Sequence, residues 1–104
     1  MNSLEKAMSL IAVAGDSKSY SMEAVSLAKE GKFDEARASV EKARDAMITA
    51  HDMQTDLIRA EVEGRGEAIG LLMVHAQDHL SGALLMRELA EEFIDLYKKL
   101  EVVT

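Results

Sequence analysis

Along the last third of the chain, residues recur at alternating intervals of three and four: Ile69, Leu72, Ala76, His79, Ala83, Met86, Ala90, Phe93, Tyr97 and Leu100. All but His79 are apolar or aromatic. That spacing marks one face of a long α-helix, since about 3.6 residues complete a turn, whereas a half-buried strand would alternate at every second residue. No proline occurs in the 104 residues, and Ala, Leu, Met, Glu and Lys recur throughout, a mix that favours helix almost everywhere. Gly31 and the pair Gly64/Gly66 divide the chain into segments of roughly 30 residues. The expected fold is therefore all-α: an antiparallel three-helix bundle of long helices in a single domain spanning 1–104. Helix 1 is predicted over about 3–30, helix 2 over about 34–62 and helix 3 over about 68–100.

The termini of these helices carry local signals. Asn2 precedes Glu5 by three residues, a capping-box pattern for helix 1. Asp34 is the expected N-cap of helix 2, with Phe33 as a hydrophobic staple just outside it. Helix 1 bears a stripe of Leu4, Met8, Ile11, Gly15, Met22 and Val25, which Lys18 interrupts; beside it runs a smaller stripe of Ala7, Ala14, Ser17, Ser21, Ala24 and Ala28. The small residues would let a neighbouring helix come close. Helix 2 has its seam at Phe33, Ala36, Val40, Ala43, Met47, Ala50 and Leu57, with Gln54 as a polar member. Met8, Met47 and Met86 read as ordinary core filler.

Helix 3 has more apolar surface than two partner helices can cover. A second stripe, Leu71, His75, Asp78, Gly82, Leu85 and Leu89, runs beside the first, and Ile69 to Val74 is hydrophobic nearly all round apart from Gly70. A homo-oligomer in which helix 3 faces its symmetry mates is expected. The other broad features restrict partners and location. Twelve basic against nineteen acidic residues give a formal charge of -7, which repels nucleic-acid phosphates and anionic lipid. No apolar run reaches the roughly 20 residues of a membrane span, so direct membrane insertion is not expected. The amino terminus lacks a signal-peptide pattern and there is no cysteine, both of which fit a soluble, cytoplasmic protein.

Chemistry concentrates in Leu71–Leu80. On a helix His75 and His79 are neighbours one turn apart, and Asp78 lies three residues from His75, so one face carries two imidazoles and a carboxylate. Buried polar groups must satisfy one another or something bound. Three readings compete. The cluster can be structural and set oligomeric register; it can bind a transition metal, although Ala76 stands where HExxH has its glutamate; or one imidazole can be a nucleophile that accepts a phosphoryl group while the other donates to its oxygens. His75 is the better nucleophile, because its stripe lies toward the helix edge, and His79 lies on the seam. Gln54 and Gln77 are candidate neighbours that either bond across the bundle or line the site. His51 reads as a surface or boundary residue.

The run Val74-His75-Ala76-Gln77-Asp78-His79-Leu80 resembles the active-site signature of the lactose/cellobiose-type enzyme IIA of the bacterial phosphoenolpyruvate-dependent sugar phosphotransferase system. Ala14-Gly15-Asp16, the Gly31–Ala36 junction, Ala50-His51 with Gln54-Thr55, and Leu96-Tyr97-Lys98 resemble further landmarks of that family in the same order. The resemblance implies a homotrimer in which His75 takes phosphate from the carrier protein HPr and passes it to a cysteine of enzyme IIB during uptake of a sugar of this class. It implies that His79 assists the phosphorylated ring. It also implies that Asp78 meets its copies at the threefold axis around one divalent cation per trimer, magnesium, for which hard carboxylate oxygens are suitable ligands. Two departures stand out: Ser81 replaces the methionine that often follows this run, and Ala76 replaces the glycine that often follows the active histidine. Neither change is expected to disturb the transfer chemistry.

Overall fold

The computed structural model describes residues 1–103, with side chains through Glu101. Three helices make up the fold: α1 (Ser3–Lys29), α2 (Phe33–Val62) and α3 (Leu71–Val103). They form a rod of 57 × 19 × 19 Å. In one half Ala7, Leu10 and Ala14 of α1 meet Met47 and Ala50 of α2 and Ala76, Leu80 and Ala83 of α3. In the other, Ala24 and Ala28 meet Ala36 and Val40, Ala90 and Ile94. The pairing of early α1 with late α2 and early α3 makes the bundle up-down-up, with α1 and α3 parallel and α2 antiparallel to both.

Glycine ends the first two helices in the same way. Gly31 has φ 78° and Gly64 has φ 77°. Around Gly31, Lys32 N–H donates to Leu27 O at 2.9 Å and Gly31 N–H to Ala28 O at 3.0 Å; around Gly64, Arg65 N–H donates to Ala60 O and Gly64 N–H to Glu61 O. Both are Schellman closures, which need a left-handed residue that only glycine supplies without strain. At the other end of α1, the Asn2 side chain accepts from Glu5 N–H at 2.8 Å. The expected cap of α2 is displaced. Its N-cap is Lys32, which makes no side-chain capping bond, so that Phe33 opens the helix, and Asp34 and Glu35 sit in the first turn, where their charge suits the helix dipole. α3 begins at Leu71, later than expected, because a start at about residue 68 would enclose Gly70 in the helix at a cost of about 1 kcal/mol. It also runs past Leu100, to Val103.

The face of α1 that builds the core is the small one. Ala7, Leu10, Ala14, Ser17, Ser21, Ala24 and Ala28 are buried, whereas Leu4, Met8 and Met22 stay exposed. Reading Met8 as core filler is therefore wrong: it is 59% exposed. A helix that touches two neighbours along its length needs small residues toward them. One serine from each helix ties α1 and α2 together, Ser17 Oγ of α1 donating to Ala43 O at 2.8 Å and Ser39 Oγ of α2 donating to Tyr20 O at 2.7 Å. Ser21 Oγ is buried without a partner. Ser21→Ala is expected to stabilise the protein by about 1 kcal/mol, since it removes an unsatisfied hydroxyl and adds helix propensity. Urea unfolding at fixed protein concentration measures this, and destabilisation is the contrary result.

On α3 the second stripe stays outside the bundle. Leu71, Leu85, Leu89, Phe93, Leu96 and Leu100 are all exposed, Leu85 by 58% and Leu89 by 46%. Phe93 and Leu100 lie on the expected core seam yet are exposed, and Leu80 and Ile94, one position past the seam residues His79 and Phe93, are the buried ones. Between α1 and α3 lies an apolar groove of about 260 Å³, walled by Met22, Val25, Leu85, Met86, Leu89 and Phe93. No helix among the described residues is long and apolar enough to cross a membrane.

Candidate functional site

The histidines lie on the first turns of α3, close to the end at which the chain enters it from Gly70. His75 is exposed and His79 half-buried at the border between the core face and the exposed leucine stripe. Their rings stand edge to face, with centroids 4.5 Å apart and planes at 88°. This brings His79 Nε2 within 3.1 Å of His75 Nε2. The opposite nitrogen of His79, Nδ1, lies 3.1 Å from Lys18 Nζ of α1.

The chemistry of the three groups orders the protons. A lysine ammonium has donors and no acceptor, so His79 Nδ1 must present its lone pair to Lys18. In the neutral ring the hydrogen then resides on Nε2, which donates it to His75 Nε2. His75 in turn holds a lone pair on Nε2 and its own hydrogen on Nδ1. The outcome is a directed chain, Lys18 to His79 to His75, ending on an unprotonated nitrogen at an exposed position.

The electrostatics reinforce this order. Burial first, then the Lys18 charge, then His75, hold His79 below the ordinary histidine value of 6.5, against a smaller opposing pull from Asp78. His79 is therefore neutral at pH 7. Because the unfolded chain binds a proton that the folded one resists, His79 contributes stability that is complete above about pH 6.5 and is lost as pH falls through the lowered folded value. An NMR titration of the His79 ring is expected to give a midpoint below 6.5, and a midpoint at or above it would contradict the assigned environment.

Lys18 did not stand out as a site residue in the sequence. Its one signal was the break it makes in the large apolar stripe of α1. Gly82 makes room for it: a Cβ there would lie 3.3 Å from both Lys18 Cε and Nζ, so its absence gives the lysine its path past α3. Gln54 and Gln77 are brought together across α2 and α3, Gln54 Nε2 donating to Gln77 Oε1 at 2.7 Å, while Gln77 Nε2 points at Met73 Sδ. They lie with Asp78 along a cleft of about 370 Å³. Asp78 itself is exposed, as is His51. Among the described residues of one protomer, no three His, Asp or Glu side chains are arranged to hold a metal ion. A hard cation at Asp78 would thus need oxygens from further copies of the chain.

A helical rod that presents two imidazoles edge to face, one of them exposed, has side chains suited to group transfer. The model of the lactose/cellobiose-specific IIA subunit of the phosphotransferase system matches residues 5–98, and the chain belongs to that family. It is 41% identical over 90 residues to the lactose-specific EIIA component of Staphylococcus epidermidis, covering 86% of each. The cellobiose-specific enzyme IIA of Bacillus anthracis superposes with a TM-score of 0.94 at 46% identity, over 98% of this chain and 94% of that one. The chitobiose IIA of the Escherichia coli phosphotransferase system, solved in complex with HPr, superposes with a TM-score of 0.81 at 37% identity, over 97% and 99%.

Proposed function

We propose that this protein is a cytoplasmic phosphoryl carrier in which His75 Nε2 accepts phosphate from phospho-HPr and delivers it to the cysteine of enzyme IIB during uptake of a lactose/cellobiose-class sugar. The observation that carries the reading is the 3.1 Å approach of His79 Nε2 to His75 Nε2 with Lys18 Nζ at the far nitrogen of His79; the proton order inferred from these contacts leaves the lone pair on His75 Nε2. In the first transfer that lone pair forms the new N–P bond. The N–P bond of the carrier histidine breaks, and its electron pair stays with the carrier's nitrogen. His79 Nε2–H, released from His75 Nε2, turns to a phosphoryl oxygen and stabilises the charge that develops there. In the second transfer a cysteine thiolate attacks phosphorus, and the electron pair returns to His75 Nε2. Gln54 and Gln77 brace α2 against α3 beside the reacting ring.

The assembly is proposed to be a homotrimer. Support comes from the leucine stripe of α3 and the apolar groove beside it, which one protomer leaves uncovered. Asp78 and Gly82 lie on the same stripe, so a threefold axis along it would gather three carboxylates that repel unless protonated or bound to a cation. One magnesium ion per trimer fits such hard oxygen donors and would neutralise them. The transition-metal alternative finds less support, because among the described residues of one protomer no third His, Asp or Glu joins the two histidines in an arrangement that would hold a metal ion.

The test is transfer of labelled phosphate from phosphoenolpyruvate through enzyme I and HPr, followed by mapping of the modified atom. Acid-labile, base-stable label on His75 Nε2 is expected. Label elsewhere, or none, would overturn the reading.

A further inference from the structure

We propose that Lys18 is a positioning residue for the phosphoryl site: its ammonium group fixes the tautomer of His79 so that the hydrogen of that ring always faces His75. The inference rests on the carrier reading above for its functional consequence, but its structural content stands alone.

Three independent features meet at this lysine. Its Nζ lies 3.1 Å from His79 Nδ1, across 61 residues of sequence. Gly82 leaves open the space that the end of the side chain occupies, for a Cβ there would crowd both Cε and Nζ. Lys18 also replaces an apolar residue in the stripe formed by Leu4, Met8, Ile11, Met22 and Val25, a half-buried position that a charged group holds at a desolvation cost. The bond to His79 offsets that cost.

Without a fixed partner on Nδ1, a neutral imidazole is free to carry its hydrogen on either nitrogen. With the hydrogen on Nδ1, His79 Nε2 would instead accept from His75 Nε2–H, so the nitrogen meant to form the N–P bond would carry a proton, and a phosphoryl group on His75 would find no donor. A glutamate or aspartate at position 18 would select that wrong tautomer, because a carboxylate only accepts. An ammonium group selects the productive one. Lys18 touches neither donor nor acceptor of phosphate and acts through His79.

Nitrogen-15 NMR of ring-labelled protein, together with the rate of phosphoryl transfer from phospho-HPr, tests the proposal in wild type, Lys18→Met, Lys18→Arg and Gly82→Ala. In wild type, His79 Nδ1 is expected to resonate as an unprotonated nitrogen and Nε2 as a protonated one. Lys18→Met keeps the aliphatic stem and removes the donor; His79 should shift toward mixed tautomers and transfer should slow about tenfold, the scale of one charge-assisted hydrogen bond. Lys18→Arg should restore both readouts. Gly82→Ala retains the lysine but displaces its end, so both should weaken.

A wild-type tautomer and rate in Lys18→Met would overturn the proposal, as would a wild-type His79 protonated on Nδ1. If wild type accepts no phosphate on His75, the carrier reading fails, while the tautomer shift in the unphosphorylated variants still decides the role of Lys18.

Discussion

His75→Ala is expected to reduce phosphoryl acceptance to background, whereas His79→Ala should retain a reduced but measurable level. The asymmetry follows from the proton order. In the proposed transfer His75 supplies the lone pair that forms the N–P bond, and His79 does not replace it, since its Nδ1 faces Lys18 and the inferred proton order puts its hydrogen on Nε2. Removing His79 leaves the nucleophile in place and takes away only a donor to the phosphoryl oxygens, a loss on the order of 10²–10³-fold where such donors have been removed from other enzymes. The two variants should differ little in fold, because His75 is exposed and His79 only half-buried. Label incorporation from phosphoenolpyruvate, with circular dichroism as a control, measures both. Equal labelling of His75→Ala and wild type would remove His75 from the mechanism; equal loss in both variants would make the histidines a joint nucleophile-base pair instead.

The second large effect concerns assembly. The double variant Leu85→Lys/Leu89→Lys is expected to break the proposed trimer into monomers in light scattering. Each leucine is roughly half exposed in the protomer, and full burial of such a side chain is worth about 1.5–3 kcal/mol. A threefold arrangement repeats that gain in every copy, and the substitution replaces it with six ammonium groups near one axis. Neither leucine belongs to the buried core of the protomer, so helicity should be largely retained. Phosphoryl transfer should weaken with the loss of the trimer, because His75 and Asp78 share the stripe. A trimer that survives the double substitution, or a wild type that is already monomeric, is the contrary result.

The helices could be anticipated because their signals are local. Gly31 and Gly64 stop α1 and α2 through hydrogen bonds within a few residues, and the Asn2 cap reaches only to Glu5. The histidine pair was legible for the same reason: one turn of one helix brings the residues together. Orientation of the helix faces was not local. On α1 Leu4, Met8 and Met22 point outward while the alanines and serines, with Leu10, point inward, so the bulkiest stripe is not the one that builds the core. The excess apolar surface of helix 3 was read correctly as leftover, and the same reasoning extended to Leu4, Met8 and Met22 would have exposed the second leftover face. Lys18 escaped notice as a site residue because its partner lies on another helix, and only packing reveals that the two helices run parallel at that level.

The bond between Lys18 and His79 also has a consequence in time. A ribosome releases α1 first and α3 last, so the histidine pair exists as soon as α3 coils, but its proton arrangement waits until α3 docks back against α1 across the 61 intervening residues. A chain whose α3 has not docked therefore holds both imidazoles without the lysine that orders them, and on the proposed role of Lys18 its phosphoryl transfer is slowed, not abolished.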